Sequence, residues 1–201
     1  MADHYYSNNP SASHNRKLWD AVLRGQTYRF VSDAGVFSKN GVDYGSKVLI
    51  EAIDVPSGAS VLDVGCGYGP IGLTAARLAG ESGHVTMIDV NSRAVELARE
   101  NASVNGITNV TILQSDLFEG LGQERFHMVL TNPPIRAGKS TVHAIFEGAY
   151  ERLLPGGTLW IVIQKKQGAP SAKEKLESLF GDVEEVTKDK GYRIFRAEKK
   201  I

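Results

Sequence analysis

Twelve consecutive residues, Val61-Leu62-Asp63-Val64-Gly65-Cys66-Gly67-Tyr68-Gly69-Pro70-Ile71-Gly72, constrain the fold more than any other stretch of the chain. Val61 to Val64 are mostly apolar and β-branched, the pattern of a strand buried on both faces. Glycines then fall at every second position, Gly65, Gly67 and Gly69, where the backbone can take positive φ and a ligand can approach it closely. Pro70 suits the first position of a helix, because its φ is already helical and its missing N–H has no partner there. Ile71, Leu73, Ala75, Ala76 and Leu78 continue as an apolar helical face. Strand, glycine loop and helix N-terminus together predict a cradle for a nucleotide-type ligand at the carboxyl end of a parallel strand.

The rest of the chain repeats that alternation. Strands are expected over Ser60–Val64, His84–Val90, Val110–Leu113, Phe126–Leu130 and Thr158–Ile163. Helices are expected from about Gly45 to before Pro56, after the glycine loop to Ala79, over Arg93–Val104 with Asn91 or Ser92 as cap, over Ser140–Leu154 and over Ala172–Phe180. Pro155-Gly156-Gly157 should end the Ser140 helix. Val183–Thr187 and Tyr192–Ala197 lie too close for a helical crossover, so they should pair as a hairpin and give an antiparallel edge. Ahead of this core, the residues suggest a polar arm, a short helix near Lys17–Leu23, and strands at Thr27–Val31 and Val36–Ser38. The expectation is an α/β fold with a mostly parallel sheet and helices covering it. It forms a single domain over 1–201, with 1–55 as an arm and hairpin over the site and 56–201 as a Rossmann-like core.

Brändén's rule puts ligands at the carboxyl ends of the strands. Asp63, Asp89, Asp116 and Asn132 stand at four such ends. Asp89, twenty residues after Gly69 and followed by Val90, suits acceptance of hydrogen bonds from ribose hydroxyls. Asp116 suits an adenine amino group, with Leu117 and Phe118 against the ring. Gly67-Tyr68-Gly69-Pro70-Ile71-Gly72 also spells a dinucleotide fingerprint, so a nicotinamide cofactor and S-adenosylmethionine are both open. Asp63 in the strand, the terminal hairpin, and the lack of a Tyr-x-x-x-Lys pair or a separate substrate domain favour the second.

Asn132-Pro133-Pro134 supplies the chemistry. The lone pair of an exocyclic base amine is delocalised into the ring, which makes the nitrogen a poor nucleophile. Two acceptors, the Asn132 side-chain oxygen and the Pro133 carbonyl, can hold its two N–H groups and localise that lone pair. Pro134 restricts Pro133 to extended backbone, which aims the carbonyl. The same acceptors stabilise positive charge growing on nitrogen.

Asp63 to Gly69 resembles the cofactor loop of class I S-adenosylmethionine-dependent methyltransferases. Asn132-Pro133-Pro134 is similar to the Asn-Pro-Pro-aromatic motif of enzymes that methylate planar nitrogens. Gly35-Val36-Phe37-Ser38, Asp43-Tyr44-Gly45-Ser46 and Ala137-Gly138-Lys139 extend the likeness to the small-domain methyltransferases that include ribosomal-RNA guanine-N2 methyltransferases. The resemblance implies a seven-stranded sheet with an antiparallel last strand. It implies cofactor contacts from Asp63, Gly65, Cys66, Gly67, Asp89, Val90, Asp116, Leu117 and Asn132. It implies substrate contacts from Phe37, Asp43, Ile135, Arg136 and Lys139. Ile135 stands where the motif has its aromatic, so the target base either loses a stacking partner or takes one from Phe37 or Tyr44. Larger members of that group carry a further methyltransferase-like domain that is not among these residues.

The implied reaction is methylation of guanine N2 in ribosomal RNA, on free RNA or an assembled subunit. The alternatives are an adenine amine, a protein glutamine amide, a nicotinamide-dependent reductase and a non-catalytic RNA-binding relative. Net charge is zero, but it is +2 over residues 1–50, −6 over 51–130 and +4 over 131–201. Arg136, Lys139, Lys165 and Lys166 near the mouth suit RNA phosphates. Cys66 is the single cysteine, and no histidine spacing fits a metal, so no disulfide and no metal are expected. No apolar run nears the ~20 residues of a membrane span and no signal peptide is visible. A cytoplasmic monomer without a membrane partner is the expectation.

Overall fold

The structure, a computed structural model, describes residues 8, 10–36 and 41–201. β1 (Lys17–Leu23) and β2 (Gln26–Ser32) form a separate antiparallel pair, in register from Lys17 opposite Ser32 to Leu23 opposite Gln26. The helix expected near Lys17–Leu23 is therefore a strand. Arg24 and Gly25 turn the chain with φ of 53° and 74°, and two positive φ values give a turn whose twist matches paired strands. Alternation sends Trp19, Ala21 and Leu23 inward and leaves Leu18 and Val22 exposed. Val36 sits in a bend rather than the expected strand, and Phe37 and Ser38 lie outside the described residues.

α1 (Tyr44–Ala52) is capped by Asp43, whose side chain accepts from the Ser46 N–H. Then follow β3 (Ser60–Val64), α2 (Pro70–Ala79), β4 (His84–Asp89), α3 (Ser92–Val104), β5 (Val110–Gln114) and β6 (Phe126–Thr131). The chain closes with α4 (Lys139–Arg152), β7 (Leu153–Gln164), α5 (Ala169–Phe180), β8 (Val183–Asp189) and β9 (Tyr192–Glu198). Pro155-Gly156-Gly157 lies inside β7 instead of separating helix from strand. The Gly156 N–H donates to the Lys199 carbonyl and the Lys199 N–H to the Gly157 carbonyl, so the segment is stitched to the end of the chain.

β3 to β9 form one sheet in the order β5-β4-β3-β6-β7-β9-β8. β9 is antiparallel to both neighbours, and the hairpin it makes with β8 matches the expectation. The last strand is antiparallel and the sheet ends in an antiparallel pair, as expected; because β9 inserts between β7 and β8, the outermost strand β8 itself runs with the parallel strands.

Each strand divides its side chains between two cores. Val61, Met87, Leu130 and Val162 join one with Leu49 and Ile50 of α1, Leu73 of α2, Ala98 of α3 and Phe30 of β2. Leu62, Val129, Ile161 and Phe195 join the other with Phe146 of α4 and Leu176 of α5. The sheet is thus sandwiched, and its carboxyl ends are left for loops. No helix among the described residues is long and apolar enough to cross a membrane.

Candidate active site

Strand order reverses between β3 and β6. From β3 the chain winds one way to β4 and β5, and from β6 the other way to β7. Such a switch point opens a crevice at the carboxyl ends. The glycine loop after β3 and the Asn132 loop after β6 flank it, and the Thr131 hydroxyl donates to the Val64 carbonyl at 2.9 Å.

The glycine loop is pinned from below. The Gly65 and Cys66 N–H groups donate to the Ile88 carbonyl at 2.8 and 2.9 Å. Gly65, Gly67 and Gly69 take φ of 73°, 56° and 111°, which a side chain would strain. Among the described residues, and its chain neighbours aside, no atom lies within 4 Å of where a Cβ on Gly65 would stand, so these residues leave the loop open on that side. Asp89 holds the loop from β4: one carboxylate oxygen accepts from the Gly67 N–H at 2.8 Å and the other from the Asn91 N–H at 2.9 Å. A carboxylate oxygen can accept more than one hydrogen bond, so a ligand hydroxyl can join these partners. Cys66 is buried, and burial, followed by the charges of Asp89 and Asp63, pushes its thiol well above the usual range, so it is inert.

Asp63 lies beneath this loop. Strand alternation turns it onto the α2 face, where it is fully buried. A Cβ on Gly72 would stand 2.8 Å from its carboxylate and from Met87. Neither carboxylate oxygen has a hydrogen-bond partner of full geometry among the described residues; the Gly72 N–H is a donor that favours the charged form. Burial raises its pKa to about 7, opposed by the Gly72 N–H and aided by the smaller effect of the Asp89 charge. The direct reach to a ligand expected from sequence is blocked by this enclosure.

At the third strand end Asp116 is exposed and Leu117 half-buried, with φ of 50°. Phe118 does not flank a ligand ring there: a Cβ on Gly148 of α4 would meet its ring at 2.2 Å, so it fills that notch in the other core. The Val90 carbonyl accepts from the Gln114 side chain at 3.0 Å. The Asn8 carbonyl accepts from the Ser92 N–H at 2.9 Å and the Gln114 side chain at 3.2 Å. Asn8 is thus held against the start of α3 and the end of β5.

Asn132 is half-buried, and its amide is oriented by two acceptors. Nδ2 donates to Asp43 Oδ2 at 3.2 Å and Ser46 Oγ at 3.1 Å. That fixes the nitrogen toward α1 and leaves Oδ1 as the acceptor on the other side. Among the described residues nothing donates to it. Pro133 is buried and Pro134 half-buried at φ −76°. A short 3-10 turn, Ile135–Ala137, follows, with Ile135 half-buried and Arg136 and Lys139 exposed. The structure therefore brings Asp43 to Asn132, across 89 residues of chain, with its oxygen already shared between Ser46 and Asn132. Phe37 lies outside the described residues. Tyr44 is held away toward the β8–β9 turn, its hydroxyl donating to Asp189 at 2.5 Å.

Asn101 has a role that sequence reasoning misses. It is fully buried on the apolar stripe of α3. Its Nδ2 donates to the Val31 and Tyr68 carbonyls at 3.0 and 2.8 Å, and its Oδ1 accepts from the Val31 N–H at 2.8 Å. One side chain thus ties the hairpin, the glycine loop and α3 together. The available signal is a polar residue in register with Ala94, Ala98 and Ala102. Asn101→Ala orphans three buried backbone groups and should cost about 2–4 kcal/mol of stability in urea unfolding.

The chain belongs to the methyltransferase small-domain family, whose model matches residues 27–196. It is 56% identical over 201 residues to the protein YbxB of Bacillus subtilis, covering 99% of this chain and 100% of that one. It is 34% identical over 172 residues to ribosomal RNA large subunit methyltransferase G of Streptomyces avermitilis, covering 83% of this chain and 44% of that one. The structure superposes with a TM-score of 0.84 and 29% identity on the T. thermophilus 16S rRNA N2 G1207 methyltransferase in complex with AdoMet and guanosine, covering 95% of this chain and 52% of that one. The chain thus spans the whole of YbxB and about half of each named RNA methyltransferase.

Proposed function

We propose that this chain transfers a methyl group from S-adenosylmethionine to an exocyclic amine, guanine N2 of ribosomal RNA. The observation that carries the reading is the Asn132 amide, whose nitrogen is held by Asp43 and Ser46 so that its oxygen is left as an acceptor beside the glycine loop's strand. With the Pro133 carbonyl it would take the two N–H groups of a planar amine and stabilise charge growing on its nitrogen. No strong base is needed, since the proton can leave to solvent after transfer.

The residues fit the cofactor. An open cradle at Gly65 sits above a buried carboxylate without a full partner, which a cation brought to the loop would satisfy through its field. Gly65, Cys66 and Gly67 would line the cofactor, Asp89 and Val90 would take its ribose end, and Asp116 and Leu117 its base. Bound there, the cofactor supplies an electrophilic methyl on a sulfonium. The RNA target is supported by relatives named for both large and small subunit RNA. Guanine N2 is supported by the T. thermophilus relative, a 16S rRNA N2 G1207 methyltransferase in complex with guanosine.

The test is to incubate the protein with radiolabelled S-adenosylmethionine and ribosomal RNA or subunits from cells lacking its gene. Label recovered as N2-methylguanosine is expected. Label only in protein, or on another nucleoside, overturns the substrate. Asp43→Ser isolates the positioning role, because serine still caps α1 but is too short to reach Asn132. It should lower kcat about 10- to 100-fold with S-adenosylhomocysteine affinity unchanged. Unchanged kcat would remove Asp43 from the mechanism.

A further inference from the structure

The carboxyl end of the sheet is divided by charge along the switch point. On one side, Asp63 and Asp89 stand buried at the carboxyl ends of β3 and β4, and Asp116 and Glu119 lie exposed in the loop after β5. The other side carries Arg136 and Lys139 after β6, Lys165 and Lys166 after β7, Lys188 near the end of β8 and Lys190 in the β8–β9 turn. All six of these cations are exposed. Among the described residues, none of them is in an ion pair.

The other cations of residues 131–201 are engaged. Lys173, Lys175, Arg193, Arg196 and Lys200 meet carboxylates. Arg152 and Lys199 meet backbone carbonyls. Within residues 131–201, positive charge outside ion pairs and carbonyl contacts is therefore confined to the carboxyl end of the sheet. The three connections also form a continuous rim. The Lys165 N–H donates to the Gly191 carbonyl at 2.8 Å, Tyr44 bonds Asp189, and Lys190 lies 4.8 Å over the ring of Tyr44, which is next in the chain to Asp43.

We propose that these six cations form a track for the sugar–phosphate backbone of single-stranded RNA, flanking the base held at Asn132. The inference rests on the RNA reading above. An exocyclic amine reaches Asn132 only from an unstacked base, so the strand on either side must lie on the surface. The basic half accepts its phosphates, while the acidic half repels them and suits a cationic cofactor.

Fluorescence anisotropy with a labelled single-stranded oligouridylate of about 20 nucleotides, between about 50 and 200 mM KCl, tests this. Six released counterions predict a log–log slope of about −4 for the wild type. K165Q/K166Q and K188Q/K190Q should each make it shallower by about 1.4. R125Q, at the amino end of the sheet, should leave it unchanged. A wild-type slope near zero, as for a protein partner, overturns the track. So do unaltered slopes in both double variants, or an equal change from R125Q. Methyl transfer to ribosomal RNA is followed in parallel. RNA label without the slope changes fails the track alone, and the slope changes without RNA label fail the catalytic reading alone.

Discussion

Asn132→Ala should lower methyl transfer by about 10²- to 10³-fold or more, while the protein binds S-adenosylhomocysteine nearly as tightly as before. The asymmetry follows from where the side chain is anchored. Its nitrogen is bonded to α1 through Asp43 and Ser46, not to the glycine loop, so truncation leaves Gly65, Gly67 and Asp89 in place. What is lost is one of two acceptors that pull an amine out of conjugation. Asn132→Asp is the more discriminating variant. It keeps an acceptor oxygen but sets a second carboxylate against Asp43, which cannot donate. It should be almost as damaged as the alanine variant. Near-normal turnover in either, measured as label in RNA, would sink the mechanism.

Asp63→Asn should stabilise the cofactor-free protein at pH 8 and weaken cofactor binding there. Burial holds the carboxyl at about 7 in the folded protein, against 3.8 for an exposed one. Between those values the folded state binds the proton and the unfolded state does not. Stability therefore falls as pH rises through that window, at up to about 1.4 kcal/mol per unit, and the cost of the buried charge is fully present above pH 7. Asparagine carries no such charge. Urea unfolding at pH 5 and pH 8 should show a gain of a few kcal/mol for the variant at pH 8 that is mostly absent at pH 5. Calorimetry with S-adenosylhomocysteine should show wild-type affinity falling below pH 7 and the variant weak throughout. A variant that binds as tightly as wild type at pH 8 removes Asp63 from cofactor recognition.

Local signals in the sequence are legible because their physics is local. The glycine loop, Pro70 opening α2, Asn91 capping α3 and the β8–β9 hairpin each depend on a few neighbouring residues. β1 reads as a helix from sequence because Arg-Gly is an uncommon pair for a turn with two positive φ values. The place of β9 inside the sheet depends on which neighbour it meets, and nothing near Tyr192 encodes that. Asp63 is legible as a strand acid but not as an enclosed one. Its face follows from alternation with Val61, once α2 is known to lie on that side. The Asp43–Asn132 contact joins residues 89 apart and has no signal in either segment.

The reversal of strand order between β3 and β6 has a consequence for how such a protein can be altered. Apart from Asn132, which faces both, the residues proposed to hold the cofactor fall within 63–117, and Asn132, Pro133 and the basic rim fall within 132–190. Donor and acceptor functions are thus consecutive lengths of chain that meet along one seam. A different substrate can be sought by exchanging the connections after β6, β7 and β8, with the glycine loop untouched. The one graft that has to be made as a pair joins the Asn132 loop to the start of α1.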